Sequence, residues 1–169
     1  MTRSLHPLRH NMRGAAAVEM ALVLPMLLAL MFGSVELGNY FMNEHSLVKA
    51  VRDGARFAAR QNFSTYTACS GEPSGSTVSD TKNLVINGYL SGGAAITPNI
   101  SASDITVTTA CAKLSGGQTM LGIYRGRATG AQIVRVSATV DYRSVLGVMG
   151  FSGLGLTLNA SSEAAVTGL

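Results

Sequence analysis

Apolar residues fall into three regimes along the chain. From Ala15 to Gly38 they form a nearly unbroken run, interrupted by charge only at Glu19 and Glu36, near its two ends. A run of this length suits a helix crossing the roughly 30 Å hydrocarbon core of a bilayer. From Asn39 to Arg60 the pattern becomes periodic. Val48, Val51, Ala55 and Ala58 recur at three- and four-residue steps, while Glu44, Lys49, Arg52, Asp53, Arg56 and Arg60 stay polar. That spacing predicts continuation of the same helix as an amphipathic one. A single helix from Ala15 to Arg60 would be roughly 70 Å long. Pro25 removes one backbone donor inside it, so a kink or local loosening is expected there.

Further on, the period shortens to two. Ile105 to Ala110, Ile133 to Tyr142 and Gly155 to Val166 read as strands. In the second, Val134, Val136, Ala138 and Val140 alternate with Arg135, Ser137, Thr139 and Asp141, the pattern of a sheet with one wet face. The apolar stripe of the helix is expected to cover the dry one. Ahead of the strands, Gly71 to Ser79 is rich in turn residues. Ser79 or Asp80 then caps a short helix through about Leu90, which turns Leu84, Val85 and Tyr89 to the core and ends at Ser91-Gly92-Gly93. Ser115 to Gly130 reads as an exposed loop or hairpin with Arg125 and Arg127 at its tip.

The expected fold is therefore α+β: a long N-terminal helix, transmembrane and then amphipathic, packed on a small antiparallel sheet with one short extra helix. The organisation that follows is a leader over 1–14, a transmembrane helix over 15–38, its amphipathic continuation over 39–60, and an extracytoplasmic α+β domain over 61–169. A secretory signal peptide would need a small-residue cleavage site just beyond the apolar run, and Phe32 to Tyr40 offers none.

Composition changes this picture in two places. The net charge of +4 and pI near 9.4 suggest a nucleic-acid partner, but Arg3, Arg9 and Arg13 all lie in the leader segment. Without them 10 basic residues face 9 acidic ones, so nucleic-acid binding is set aside. The same arginines orient the helix, because positive flanks stay cytoplasmic. The C-terminal portion then faces an oxidising compartment, where the two cysteines, Cys69 and Cys111, are expected to pair. Their spacing fits no zinc site, and no metal or other cofactor is expected.

Catalytic chemistry is scarce. Past the leader only His45 remains among the histidines, with no serine or acid placed to work with it. Gly71-Glu72-Pro73-Ser74-Gly75 sets its serine one place too late for a nucleophile elbow. No phosphate-binding glycine loop appears. The expectation is a protein without enzymatic activity, and no catalytic residue is assigned.

One residue does demand a partner. Glu19 stands in a greasy helix, where a carboxylate costs on the order of 3 kcal/mol at mid-bilayer and less near an end. Cleavage between Gly14 and Ala15 would free an α-amino group that stays charged to about pH 8, roughly 6 Å along the helix from Glu19. The amine of one subunit and the carboxylate of a neighbour would then neutralise each other in lipid.

Arg13-Gly14 followed by Ala15-Ala16-Ala17-Val18-Glu19 resembles the class III signal of type IV pilin-like proteins. The resemblance extends through Ala21-Leu22-Val23-Leu24-Pro25, Phe32-Gly33, Glu36-Leu37-Gly38 and the stretch from Ala50 to Ala59. Over its first sixty or so residues the chain is similar to TadE-like pseudopilins of the tight-adherence (Tad/Flp) pilus system. Met20 stands where that family usually has an aromatic residue.

The resemblance implies a minor pilin-like subunit, cut by a prepilin peptidase at Gly14-Ala15. Arg13 and Glu19 would serve peptidase recognition and subunit pairing. Its partners would be other pilin-like subunits, the pilus assembly machinery and inner-membrane lipid. It would sit in the inner membrane as a single-pass protein with its N-terminus cytoplasmic. The competing expectation is a periplasmic binding or adhesion module that uses the helix only as an anchor.

Overall fold

The computed structural model describes residues 12–112, 120–127, 130–148, 150 and 155–168. Residues 1–11 of the leader segment, and most of the Ser115 to Gly130 loop's first half, lie outside the described residues. The chain forms two compact units, residues 1–38 and 39–169.

Helix α1 runs from Met12 to Ala59 and passes through Pro25. It starts three residues ahead of the sequence expectation and ends one residue short of it. Over Val18 to Val35 its large apolar side chains, among them Leu22, Leu24, Leu27, Leu30 and Phe32, are exposed on every side. A helix that is apolar all round belongs in the interior of a large protein or in a membrane. It is long and apolar enough to cross a bilayer, and no other helix among the described residues is.

The second unit begins with the remainder of α1, where the surroundings reverse. Leu47, Ala50, Val51, Ala55, Ala58 and Ala59 are buried, while Lys49, Arg52, Asp53 and Arg56 stay exposed. Helix α2, Thr77–Asn87, follows. It crosses α1 at Gly54, where an added Cβ would lie 2.5 Å from Val85 Cγ2. Only glycine permits that approach. Gly88, left-handed at φ 76°, ends α2 with its N–H on the Leu84 carbonyl. The helix therefore stops three residues before the expected Ser91-Gly92-Gly93. Tyr89, expected in the core, leaves the helix and is exposed, whereas Val85 is buried as its position predicts.

Strands β1 (Ile105–Ala112), β2 (Ala131–Asp141) and β3 (Thr157–Ala165) form an antiparallel sheet in the order β1-β2-β3, with a short helix α3 (Val145–Val148) between β2 and β3. Val136 lies opposite Val107 on one side and Ser162 on the other. Alternation in β2 is complete, with Gln132, Val134, Val136, Ala138 and Val140 buried. The four apolar ones join Ile105, Val107, Leu158, Val166, Val85 and the inward face of α1 in one core. On the wet face Arg135 Nε donates to Glu163 Oε1 at 2.6 Å and Thr139 Oγ1 to Asn159 Oδ1 at 2.9 Å. Exposed pairs of this kind contribute about 0–1 kcal/mol each.

The last turn of α1 is held by long-range partners. Helix C-termini leave carbonyls without intrahelical donors. Here the Tyr66 hydroxyl donates to the Ala58 carbonyl, and Thr167 donates from N and from Oγ1 to the Ala59 carbonyl, at 2.8 Å and 3.3 Å. The buried Gln132 amide donates in turn to the Tyr66 carbonyl. Burial pushes the Tyr66 hydroxyl from its ordinary pKa of 10.0 up to about 12.

The folded state therefore keeps a proton that the unfolded chain releases near pH 10. Its stabilising effect is complete below pH 10 and is lost as the pH rises toward 12. In alkaline denaturation, wild type minus Tyr66→Phe should show a stability difference that shrinks across this window. At neutral pH the variant should cost roughly 1 kcal/mol for the lost hydrogen bond. A difference flat with pH would contradict the assignment.

Candidate functional site

Gly14, Ala15 and Glu19 all lie on α1 and are exposed there, as are the apolar side chains that follow them. Gly14 and Ala15 occupy its first turn. The first four N–H groups of a helix have no intrahelical acceptor, and glycine weakens a helix interior by nearly 1 kcal/mol relative to alanine. Glu19, four residues past Ala15, lies a little more than one turn deeper, about 6 Å along the axis. Its carboxylate is presented on an apolar, outward-facing cylinder, available to a group brought by another molecule.

Away from that turn, Cys69 and Cys111 form a disulfide with their Cα atoms 5.0 Å apart. It ties the segment after α1 to the end of β1, and Thr109 N reinforces it by donating to the Gly71 carbonyl at 2.8 Å. His45 is an exposed residue of α1. No three His, Cys, Asp or Glu side chains converge to hold a metal among the described residues.

The expected solvated tip at Arg125-Gly126-Arg127 is only half as expected. Arg125 is exposed, but Arg127 stacks 3.8 Å above the Phe63 ring and donates to Gln132 Oε1 at 2.8 Å. Tyr124 meets the edge of Phe63 and donates to the Val166 carbonyl at 2.7 Å. This cluster closes over the end of α1, so Arg127 is packed there and is not a solvated loop residue. Gln132 and Tyr66, at its centre, did not stand out in the sequence.

A single apolar helix able to cross a membrane, continuing into a disulfide-tied α+β unit, defines the general class of this chain. Its particular likeness lies in part of that helix. Residues 14–56 match the family model described as TadE-like protein, so that segment is similar to TadE-like proteins. No curated protein and no solved structure matches it. The matched segment begins at Gly14 and ends at Arg56, so it is carried entirely by α1.

Replacing both Cys69 and Cys111 by serine reopens a loop spanning 42 residues. The loss of stability should reach about 4 kcal/mol at most by chain entropy. Denaturant unfolding of the double variant measures it, and non-reducing peptide mapping of the wild type should recover the Cys69–Cys111 pair. Free thiols in protein taken from an oxidising compartment would contradict the pairing.

Proposed function

We propose that this protein is a minor, pilin-like subunit of a Tad-type pilus system, a structural part and not a catalyst. One observation carries the reading: the TadE-like match covers the whole apolar run and most of the amphipathic continuation behind it, to Arg56. What the family shares with this chain is thus the helix that a pilin-like subunit uses to enter the membrane and to meet its neighbours. The family kinship supports association with a Tad pilus in general. Glu19 and the Gly14–Ala15 bond give that association a chemistry.

In this reading a prepilin peptidase cuts after Gly14, and the new ammonium of Ala15 in one subunit pairs with the Glu19 carboxylate of another. The arginines ahead of the cut hold the N-terminus on the cytoplasmic side, and residues 39–169 fold outside the inner membrane, where the disulfide persists. The anchored-module alternative gives Glu19 no amine to meet and Gly14–Ala15 no peptidase.

Intact-mass analysis of membrane-extracted protein, with the matching peptidase present, should show loss of Met1 to Gly14. A mature chain still beginning at Met1 would remove the basis for the pilin-like reading.

Glu19→Gln separates the two readings at the level of assembly. It keeps shape and removes charge, so the helix should insert at least as well as before. Pilus formation and co-isolation with pilin-like subunits should nevertheless fail, because an unpaired ammonium left in lipid costs several kcal/mol. Leader cleavage is checked separately, since the peptidase also meets this region. Normal assembly by a cleaved Gln variant would show the pairing to be wrong.

A further inference from the structure

The folded unit has an end at which several apolar and aromatic side chains are left in the open, and the chain itself indicates what covers them. Tyr142, just past β2, accepts a hydrogen bond from Asn39 Nδ2 at 2.7 Å and packs edge-on against Tyr40, ring centroids 5.1 Å apart. The Tyr40 hydroxyl reaches the Thr157 carbonyl at 3.3 Å, and Tyr142 N donates to the Leu156 carbonyl at 2.9 Å. Both stems of the β2–β3 connection are therefore fixed beside Asn39 and Tyr40, the first residues after the apolar run closes at Gly38.

We propose that these stems, Arg143 to Val145 on one side and Leu156 on the other, rest in the same lipid surface that α1 enters, giving the folded unit a second membrane contact. The inference depends on the membrane reading of α1. Ala15 to Gly38 covers about 35 Å as helix, against a hydrocarbon core of about 30 Å within a bilayer of about 40–45 Å. Asn39 to Met42 then falls in the outer headgroup layer. At that level Phe41 and Met42 are exposed on α1, Val145 and Leu156 are 39% and 41% exposed on the stems, and Tyr40 and Tyr142 stand between them.

Aromatic rings with one polar group are the side chains that favour this layer. Arg143, exposed on the first stem, can reach lipid phosphate while its methylenes lie along the apolar groups. Asp141 is also exposed, one residue before Tyr142 on β2, so the apolar and aromatic groups, and not net positive charge, carry the contact. Three links, Asn39 to Tyr142, Tyr40 to Tyr142 and Tyr40 to Thr157, tie the stems to α1, and the Tyr142–Leu156 bond ties the stems to each other, so the stems cannot leave α1 without breaking the first three.

The chain contains no tryptophan, so single-tryptophan variants of the full protein report position directly. Val145→Trp, with Leu156→Trp on the second stem as a check against local misfolding, is reconstituted in phosphatidylcholine–phosphatidylglycerol vesicles containing brominated lipid. Leu24→Trp marks the span. Tyr89→Trp marks the far side, since α2 crosses α1 at Gly54, about 22 Å beyond Asn39.

The expected result is blue-shifted emission at both stem positions, quenched more strongly by bromines near the headgroup than by bromines near the chain ends. Leu24→Trp should show the reverse order and Tyr89→Trp should stay solvent-like. Quenching of Leu24→Trp alone would overturn this inference and leave the span intact. No quenching at Leu24→Trp would overturn the span itself and the inference with it. Stem tryptophans that are blue-shifted but unquenched would show that protein, such as a neighbouring subunit, covers the stems, and would also overturn it.

Discussion

The structure depends on how closely α1 approaches what it packs against. Over its second half the buried face is built mostly from small residues: Ala50, Gly54, Ala55, Ala58 and Ala59, with Leu47 and Val51 as the larger members. At Gly54 the approach of Val85 leaves no room for even a methyl group. Such a face buries little area per side chain, since each methylene removed from water contributes only about 0.8 kcal/mol. It compensates by letting α2 and the strand residues crowd in. The larger apolar volume comes from the other partners, namely Ile105, Val107, Val134, Val136, Val140 and Leu158.

Much of this was legible in the sequence because two different periods carry it. The alternation of Val134, Val136, Ala138 and Val140 located the central strand and its wet face. The steps from Val48 to Ala58 located the packed half of α1, although Leu47, one residue outside the chosen stripe, proved more deeply buried than Val48. A helix 48 residues long was readable from its continuous pattern.

What the sequence hid were contacts between residues far apart in the chain. Gln132 shares the inward parity of Val134, and a buried side-chain amide nearly always has a hydrogen-bond partner, so its importance was signalled but its partners, Tyr66 and Arg127, were not. Arg127 looked like a loop cation because nothing local announces Phe63 beneath it. Tyr89 was misplaced because one glycine, Gly88, can end a helix earlier than the more obvious pair at Gly92-Gly93. The Asn39–Tyr142 bond spans 103 residues and leaves no trace in either period.

Those long-range contacts share a geometry that bears on how the molecule carries load. From Asn39 to Ala59 α1 covers about 30 Å, and the 11 residues of β2 cover about 35 Å. The two elements are nearly equal in length, and β2 runs back from the Tyr66–Gln132 contact at the far end of α1 to the Tyr142–Asn39 contact at its near end. Partners are therefore fastened at both ends of the packed half of the helix. A pull along the packed half of α1 meets both fastenings and the buried face between them together, in shear. The disulfide adds a covalent limit from Cys69, ten residues past α1, to β1 on the other side of β2. Small side chains on α1 would make a weak interface if peeled open from one end. Fixed at both ends, they resist as one surface.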